Sequence, residues 1–273
     1  MQHGSVKIRH FCAVLWVLAA SACFAQTAPT QQTIEAKLRS APFLMLRGMW
    51  DGGRLTFDSQ GNLVGTAETV PLSMSAMKLT GVELSDSALV VSGYHAGLEF
   101  SFNGAMAHAV ARGKVPLEVA IARDPKHTQS LDEAISKVFA IGIDEGVVST
   151  APDYWRPWLQ HHLHPHDLQE PLPAGVQTLR RGVVPPRITY SAGPPRLSPG
   201  QGDPEHPAEV ILSCIVDTSG RPFGIHVAMP SGMGRDEAAV SALSQTLFTP
   251  AIEKGTPVAV TMQFHFQYFL GER

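Results

Sequence analysis

Polar and apolar residues alternate over long stretches of this chain, and helical spacing replaces that alternation in two places. The sharpest alternation is C-terminal. Val258, Val260, Met262, Phe264, Phe266 and Tyr268 fall on one face, and Thr261, Gln263, His265 and Gln267 on the other. That pattern predicts a strand with one buried side. Val210, Leu212, Cys214 and Val216 alternate in a second strand, and Phe223, Ile225, Val227 and Met229 in a third. Gly220 and Pro222 mark a hairpin between those two. "RDEAAVSALSQTLF" sets Ala239, Val240, Leu243 and Leu247 on one helical stripe, which Pro250 is predicted to end. Residues 208–270 thus read as strand, strand, helix, strand: a three-stranded antiparallel-type sheet with one helix on its apolar face.

Residues 33–158 carry shorter runs. "RLTFDSQGNLVG" reads as two strands around a turn, "MKLTGVELSDSALVVSGYHAGLEFSF" as three more, and "VPLEVAIARD" as another. Close strands with tight turns predict a mostly antiparallel β module. Leu131, Ala134, Ile135 and Val138 predict a helix within it. Trp155 and Trp158, near a proline, are read as plugs of a core. The fold class is therefore α+β.

Residues 159–207 differ in composition. Prolines recur without a period, which predicts a stiff, extended His/Pro-rich linker. Its start holds His161, His162, His164 and His166, a candidate metal cluster. Pro165 interrupts that cluster and the spacing is not that of a helical zinc site, so a hydrophilic linker is the competing reading.

Composition narrows the function. The formal net charge of −3 gives no electrostatic case for nucleic acid. The chain contains no HExxH, no GxSxG, no Walker loop and no paired-cysteine motif, so neither an enzyme nor a cofactor is predicted. Asp144 and Glu145 read as a turn or helix start rather than a catalytic pair. Lys7, Arg9 and His10 precede an apolar run ending near Ala22, with small residues before Gln26. This is the pattern of a secretory signal over residues 1–25, cut after Ala25. Two alternatives stay open: retention as a short membrane anchor, and lipidation of Cys23. After cleavage Cys214 is the sole cysteine, which excludes an internal disulfide.

One ordered set of residues carries a family resemblance. Val216, Asp217 and Gly220 stand at the first turn, and Ser231 and Gly232 precede the helix. Asp236, Ala238, Ala239 and Leu243 lie within the helix. Phe248, Pro250, Ala251, Gly255, Pro257 and Val258 follow, and "PPRITYS" leads in. This order resembles the C-terminal domain of TonB-family energy transducers. The resemblance implies a periplasmic protein that binds a peptide segment of a TonB-dependent outer-membrane transporter by β-strand addition. It places that contact on the last strand, at Val258, Val260, Thr261, Met262, Gln263, Phe264, His265, Phe266 and Gln267. It further implies an inner-membrane proton-driven motor complex as partner, and leaves a homodimer through exposed strands open. The chain departs from the family in its short, cleavable apolar segment and its short proline strip. An envelope interaction protein without energy coupling is therefore the alternative, and a His-rich metal-binding protein a further one.

Overall fold

The computed structural model describes residues 29–40, 43–101, 107–124, 129–166, 171–193 and 208–268. The apolar segment with its cleavage site and Cys23 lies outside them. The first half contains α1 (Gln31–Leu38), β1 (Leu44–Leu46), β2 (Trp50–Asp51), β3 (Arg54–Phe57), β4 (Glu68–Thr69), β5 (Ala76–Leu84), β6 (Ala88–Phe100) and β7 (Ala107–Ala122). It continues with α2 (Gln129–Val138), β8 (Phe139–Ile141), α3 (Glu145–Thr150) and α4 (Arg156–Leu163). Six of these strands form one sheet in the order β3-β7-β6-β5-β1-β8. The expected antiparallel meander is β5-β6-β7, while β3 joins β7 in parallel, Arg54 opposite Glu118.

β6 shows how one strand serves two cores. Leu89 and Val91 enter a core with Ile34 and Leu38 of α1 and Leu131, Ile135 and Val138 of α2. Further along, Ala96, Leu98 and Phe100, of the opposite parity, enter a second core. Successive strand side chains point to opposite faces, so the change of parity is a change of face.

That second core is shared with the C-terminal elements. These are β9 (Val176–Thr178), β10 (Val183–Val184), β11 (Ile188–Tyr190), β12 (Ala208–Val216), β13 (Pro222–Met229), α5 (Arg235–Ser244), β14 (Leu247–Phe248), β15 (Ala251–Glu253) and β16 (Thr256–Tyr268). Val210, Leu212, Cys214 and Val216 of β12, and Ala239 and Leu243 of α5, meet Phe100, Trp155 and Leu159 there. Trp155 is fully buried and sits edge-on to Trp158. The predicted strand-strand-helix-strand unit is present as the antiparallel sheet β13-β12-β16 with α5. Its hairpin closes on Asp217, whose Oδ1 accepts from the Ser219 and Arg221 amides at 2.8 and 2.9 Å.

Two expectations need correction. The helix ends at Ser244 rather than at Pro250, because Leu247 and Phe248 pair with β11 instead; Leu247 is accordingly exposed. The extended His/Pro-rich linker is not free of structure either. Its first residues finish α4, and Val176–Thr178, Val183–Val184 and Ile188–Tyr190 pair with β16, β15 and β14. These three pieces are proline-free, and rich in β-branched residues that suit a pleated surface. The C-terminal sheet offers them unpaired edge groups.

Candidate partner-binding edge

β16 is the longest strand of the C-terminal sheet, and its two edges differ. On one edge β12 pairs with it without interruption, from Ala208 opposite Tyr268 to Val216 opposite Val260. On the other, β9 lies parallel to it: Val176 opposite Ala259, Gln177 opposite Val260, Thr178 opposite Thr261. β15 turns back on its start, Ala251 opposite Val258. From Met262 to Tyr268 the edge opposite β12 carries no strand among the described residues.

This divides the residues expected to meet a partner. Val258 is engaged by β15, and Val260 and Thr261 have neighbours on both edges. None of the three offers a free outer edge: β15 covers Val258, and β9, from a segment expected to be bare linker, covers Val260 and Thr261. Met262, Gln263, Phe264, His265, Phe266 and Gln267 keep an open edge. Among them the alternation is preserved: Gln263, His265 and Gln267 are exposed, and Met262, Phe264 and Phe266 are half-buried. Phe264 tilts against Phe248 at 5.2 Å between ring centroids. His265 Nδ1 lies 2.9 Å from Glu209 Oε1 on β12.

The strand's far end is pinned. Tyr268 Oη donates to the Arg235 carbonyl at 2.8 Å, tying β16 to the start of α5. Burial pushes the Tyr268 hydroxyl well above its ordinary pKa, so it stays a donor. Around this start is a buried polar node absent from the sequence reading. Arg235 is 2% exposed; its Nε donates to the Gly232 carbonyl at 2.9 Å and its Nη2 to the Ser231 carbonyl at 3.1 Å. Asp236 accepts the Ser231 and Gly232 amides at 2.8 and 2.6 Å. Those bonds and Arg235 favour its charged form, yet complete burial, with the Glu237 charge second, pushes its pKa up to about 7.

The same node binds the first sheet. Glu237 takes the Ser73 amide and hydroxyl and the Trp155 indole N–H. Ser73 Oγ accepts from the Gly234 amide, and Met233 N–H donates to the Leu98 carbonyl at 2.8 Å. The only sequence signal for this was the acidic pair Asp236-Glu237 in the first helical turn, where negative charge suits the helix dipole.

The histidines do not converge. His164 Nε2 contacts Glu145 Oε1 at 2.6 Å, and His162 stacks on Trp158 at 4.9 Å. Among the described residues no group of three or more His, Cys, Asp or Glu side chains is placed to hold a metal ion. Asp144 caps α3 through the Val147 amide and pairs with Arg47, which holds its carboxyl below the usual range. Cys214 is buried, and burial pushes its thiol up to about 12.

Residues 207–270 match the family model described as the Gram-negative bacterial TonB protein C-terminal. The unit from β12 to β16 is therefore a TonB-family C-terminal domain. Residues 1–206 lie outside that match. No curated relative matches the chain.

Proposed function

We propose that this protein is a periplasmic TonB-like binding protein that takes up an extended segment of an outer-membrane transporter by adding it to the open edge of β16. The observation that carries this reading is the outer edge of Met262–Tyr268, which carries no strand among the described residues, within a TonB C-terminal domain. Unpaired N–H and C=O groups on a sheet edge are a template for another strand. About five ladder bonds at roughly 0.5–1.5 kcal/mol each sum to about 2.5–7.5 kcal/mol, which approaches micromolar binding only at its upper end, so side-chain contacts have to add to the ladder. The role is binding rather than catalysis. In this reading residues 1–25 act as the export signal that brings the protein to the periplasm. Coupling to an inner-membrane motor further requires that this segment be retained, which the mass of the exported protein decides.

The experiment is fluorescence anisotropy with labelled extended peptides derived from TonB-dependent outer-membrane transporters. Met262→Pro and Gln263→Pro are tested singly. Successive strand amides face opposite edges, so one of the two prolines removes an outward donor. That variant is expected to bind about tenfold more weakly, equivalent to about 1.4 kcal/mol. Unchanged affinity in both overturns the proposal.

One observation favours a second reading, an envelope interaction protein without energy coupling. The TonB C-terminal domain shares a core with the first sheet and is not a tethered unit. A pair of copies through the same edge is a variant of it, checked by sedimentation at micromolar concentration.

A further inference from the structure

Val260 has strands on both sides, Val216 on one and Gln177 on the other. The two neighbours are unequal. β12 accompanies β16 over nine residues, Ala208–Val216, whereas β9 covers three. β9 is also loosely seated. Its Val176 amide donates to the Pro173 carbonyl at 3.1 Å, inside a turn of its own segment. Thr178 is exposed, and Leu179 beyond it is 40% exposed. Beside its ladder pairing, its segment is clamped to the sheet at one carboxylate: Gln177 Nε2 donates to Glu253 Oε2 at 3.3 Å and Arg180 Nη2 to Glu253 Oε1 at 2.7 Å. Arg180 holds the Glu253 carboxyl below its usual range.

We infer that β9 is an intramolecular competitor for the partner edge: it occupies Ala259–Thr261 in parallel, and a guest strand that extends past Met262 has to displace it. This rests on the reading of β16 as the partner's edge. A short parallel strand with one side-chain clamp can exchange for another of the same kind, because the incoming backbone makes the same ladder bonds. The native occupant also describes the chemistry of a good guest. It is extended and uncharged over the paired residues, with an amide-bearing side chain at the centre and a cation three residues later, both converging on Glu253. An acidic segment in this lane would face Glu253 and be rejected.

The test uses the full chain and a labelled peptide of its own residues 171–181. In Gln177→Pro/Thr178→Pro, the two prolines remove whichever of the adjacent amides faces β16. An unchanged near-ultraviolet circular dichroism spectrum confirms that the core is intact. The peptide is expected to bind this variant at least tenfold more tightly than the wild type, and to protect amides within residues 259–261 from hydrogen exchange. Equal affinity for both proteins, or binding to neither, overturns the competition. Transporter-derived peptides are run in parallel. If they bind neither protein while the chain's own peptide binds the variant, the competition stands and the transporter reading falls. If they and the chain's own peptide both bind the two proteins equally, the edge reading stands and the competition falls.

Discussion

The Trp155 indole N–H donates to Glu237 Oε1 at 3.0 Å, joining the entry to α4 to the first turn of α5 across the two halves of the molecule. The same carboxylate accepts the Ser73 amide and hydroxyl at 3.1 and 2.8 Å. Glu237→Ala strands all three donors in a partly buried site. Leaving a buried donor without a partner costs about 1–3 kcal/mol, so a combined loss of about 2–4 kcal/mol is expected. Urea denaturation followed by tryptophan fluorescence measures it. Glu237→Gln, which keeps an acceptor oxygen, is expected to lose less. Equal losses in the two variants would show that the hydrogen bonds do not set the stability.

Gly232 sits where the two halves touch. Its φ is +85°, and a Cβ built there would lie 1.9 Å from the Leu98 carbonyl oxygen. The backbone at Leu98 is committed, since that carbonyl accepts the Met233 amide. Gly232→Ala therefore combines left-handed strain, about 1–2 kcal/mol, with a clash against backbone. Gly255 is the control: its φ is +84°, and nothing lies within 4 Å of a Cβ there. Gly255→Ala is expected to cost about 1 kcal/mol and Gly232→Ala at least twice that. Calorimetric melting of the two variants checks the difference, and equal shifts would remove the role assigned to the Leu98 contact.

The C-terminal unit was legible in the sequence because its pattern is local. Val210 to Val216 and Val258 to Tyr268 alternate cleanly, and burial follows that alternation. The helix end is not legible because Leu247 continues the helical stripe, while its partner is Tyr190, far off in the chain. β9 and β10 are hidden in the sequence for a similar reason. Two- and three-residue strands leave no periodic signal, and prolines on either side mark the segment as a spacer. The open part of the candidate edge, Met262 to Gln267, follows from the alternation, whereas the covering of Val258, Val260 and Thr261 does not. Nothing in Val260 or Thr261 announces that Gln177 and Thr178 occupy their outer side. The polar node at Arg235, Asp236 and Glu237 was equally hidden, since charged residues in a first helical turn ordinarily face water.

Cys214 offers a probe of the core. It is 1% exposed, in the row Val210, Leu212, Cys214, Val216, and burial pushes its thiol up to about 12. Thiolate is the reactive form, and at neutral pH the folded protein holds almost none at this position. Iodoacetamide should leave Cys214 unlabelled in buffer and label it in denaturing urea, read by peptide mass spectrometry. Rapid native labelling would mean that β12 opens readily from the shared core.

Asp236 predicts the direction of the pH dependence. An unfolded aspartate titrates near 3.8, whereas burial raises this one to about 7. The folded protein thus keeps a proton that the unfolded chain has released between those values, so stability falls as pH rises through that window and levels off above it. The contribution is on the order of a few kcal/mol. Asp144 acts in a different window. Arg47 lowers its pKa, so its stabilisation is complete above the ordinary aspartate value and is lost only as pH falls below it. A decline between pH 4.5 and 7 therefore points to Asp236 rather than to that pair. Asp236→Asn removes the titration and should flatten the slope. It should also lower stability at every pH, because the Asn amide group would meet one of the two backbone N–H donors of Ser231 and Gly232. Urea midpoints at half-unit steps from pH 4.5 to 7.5 for both proteins decide the matter. A wild-type midpoint that rises across this range, or a slope that persists in Asp236→Asn, would show that Asp236 does not set the pH dependence.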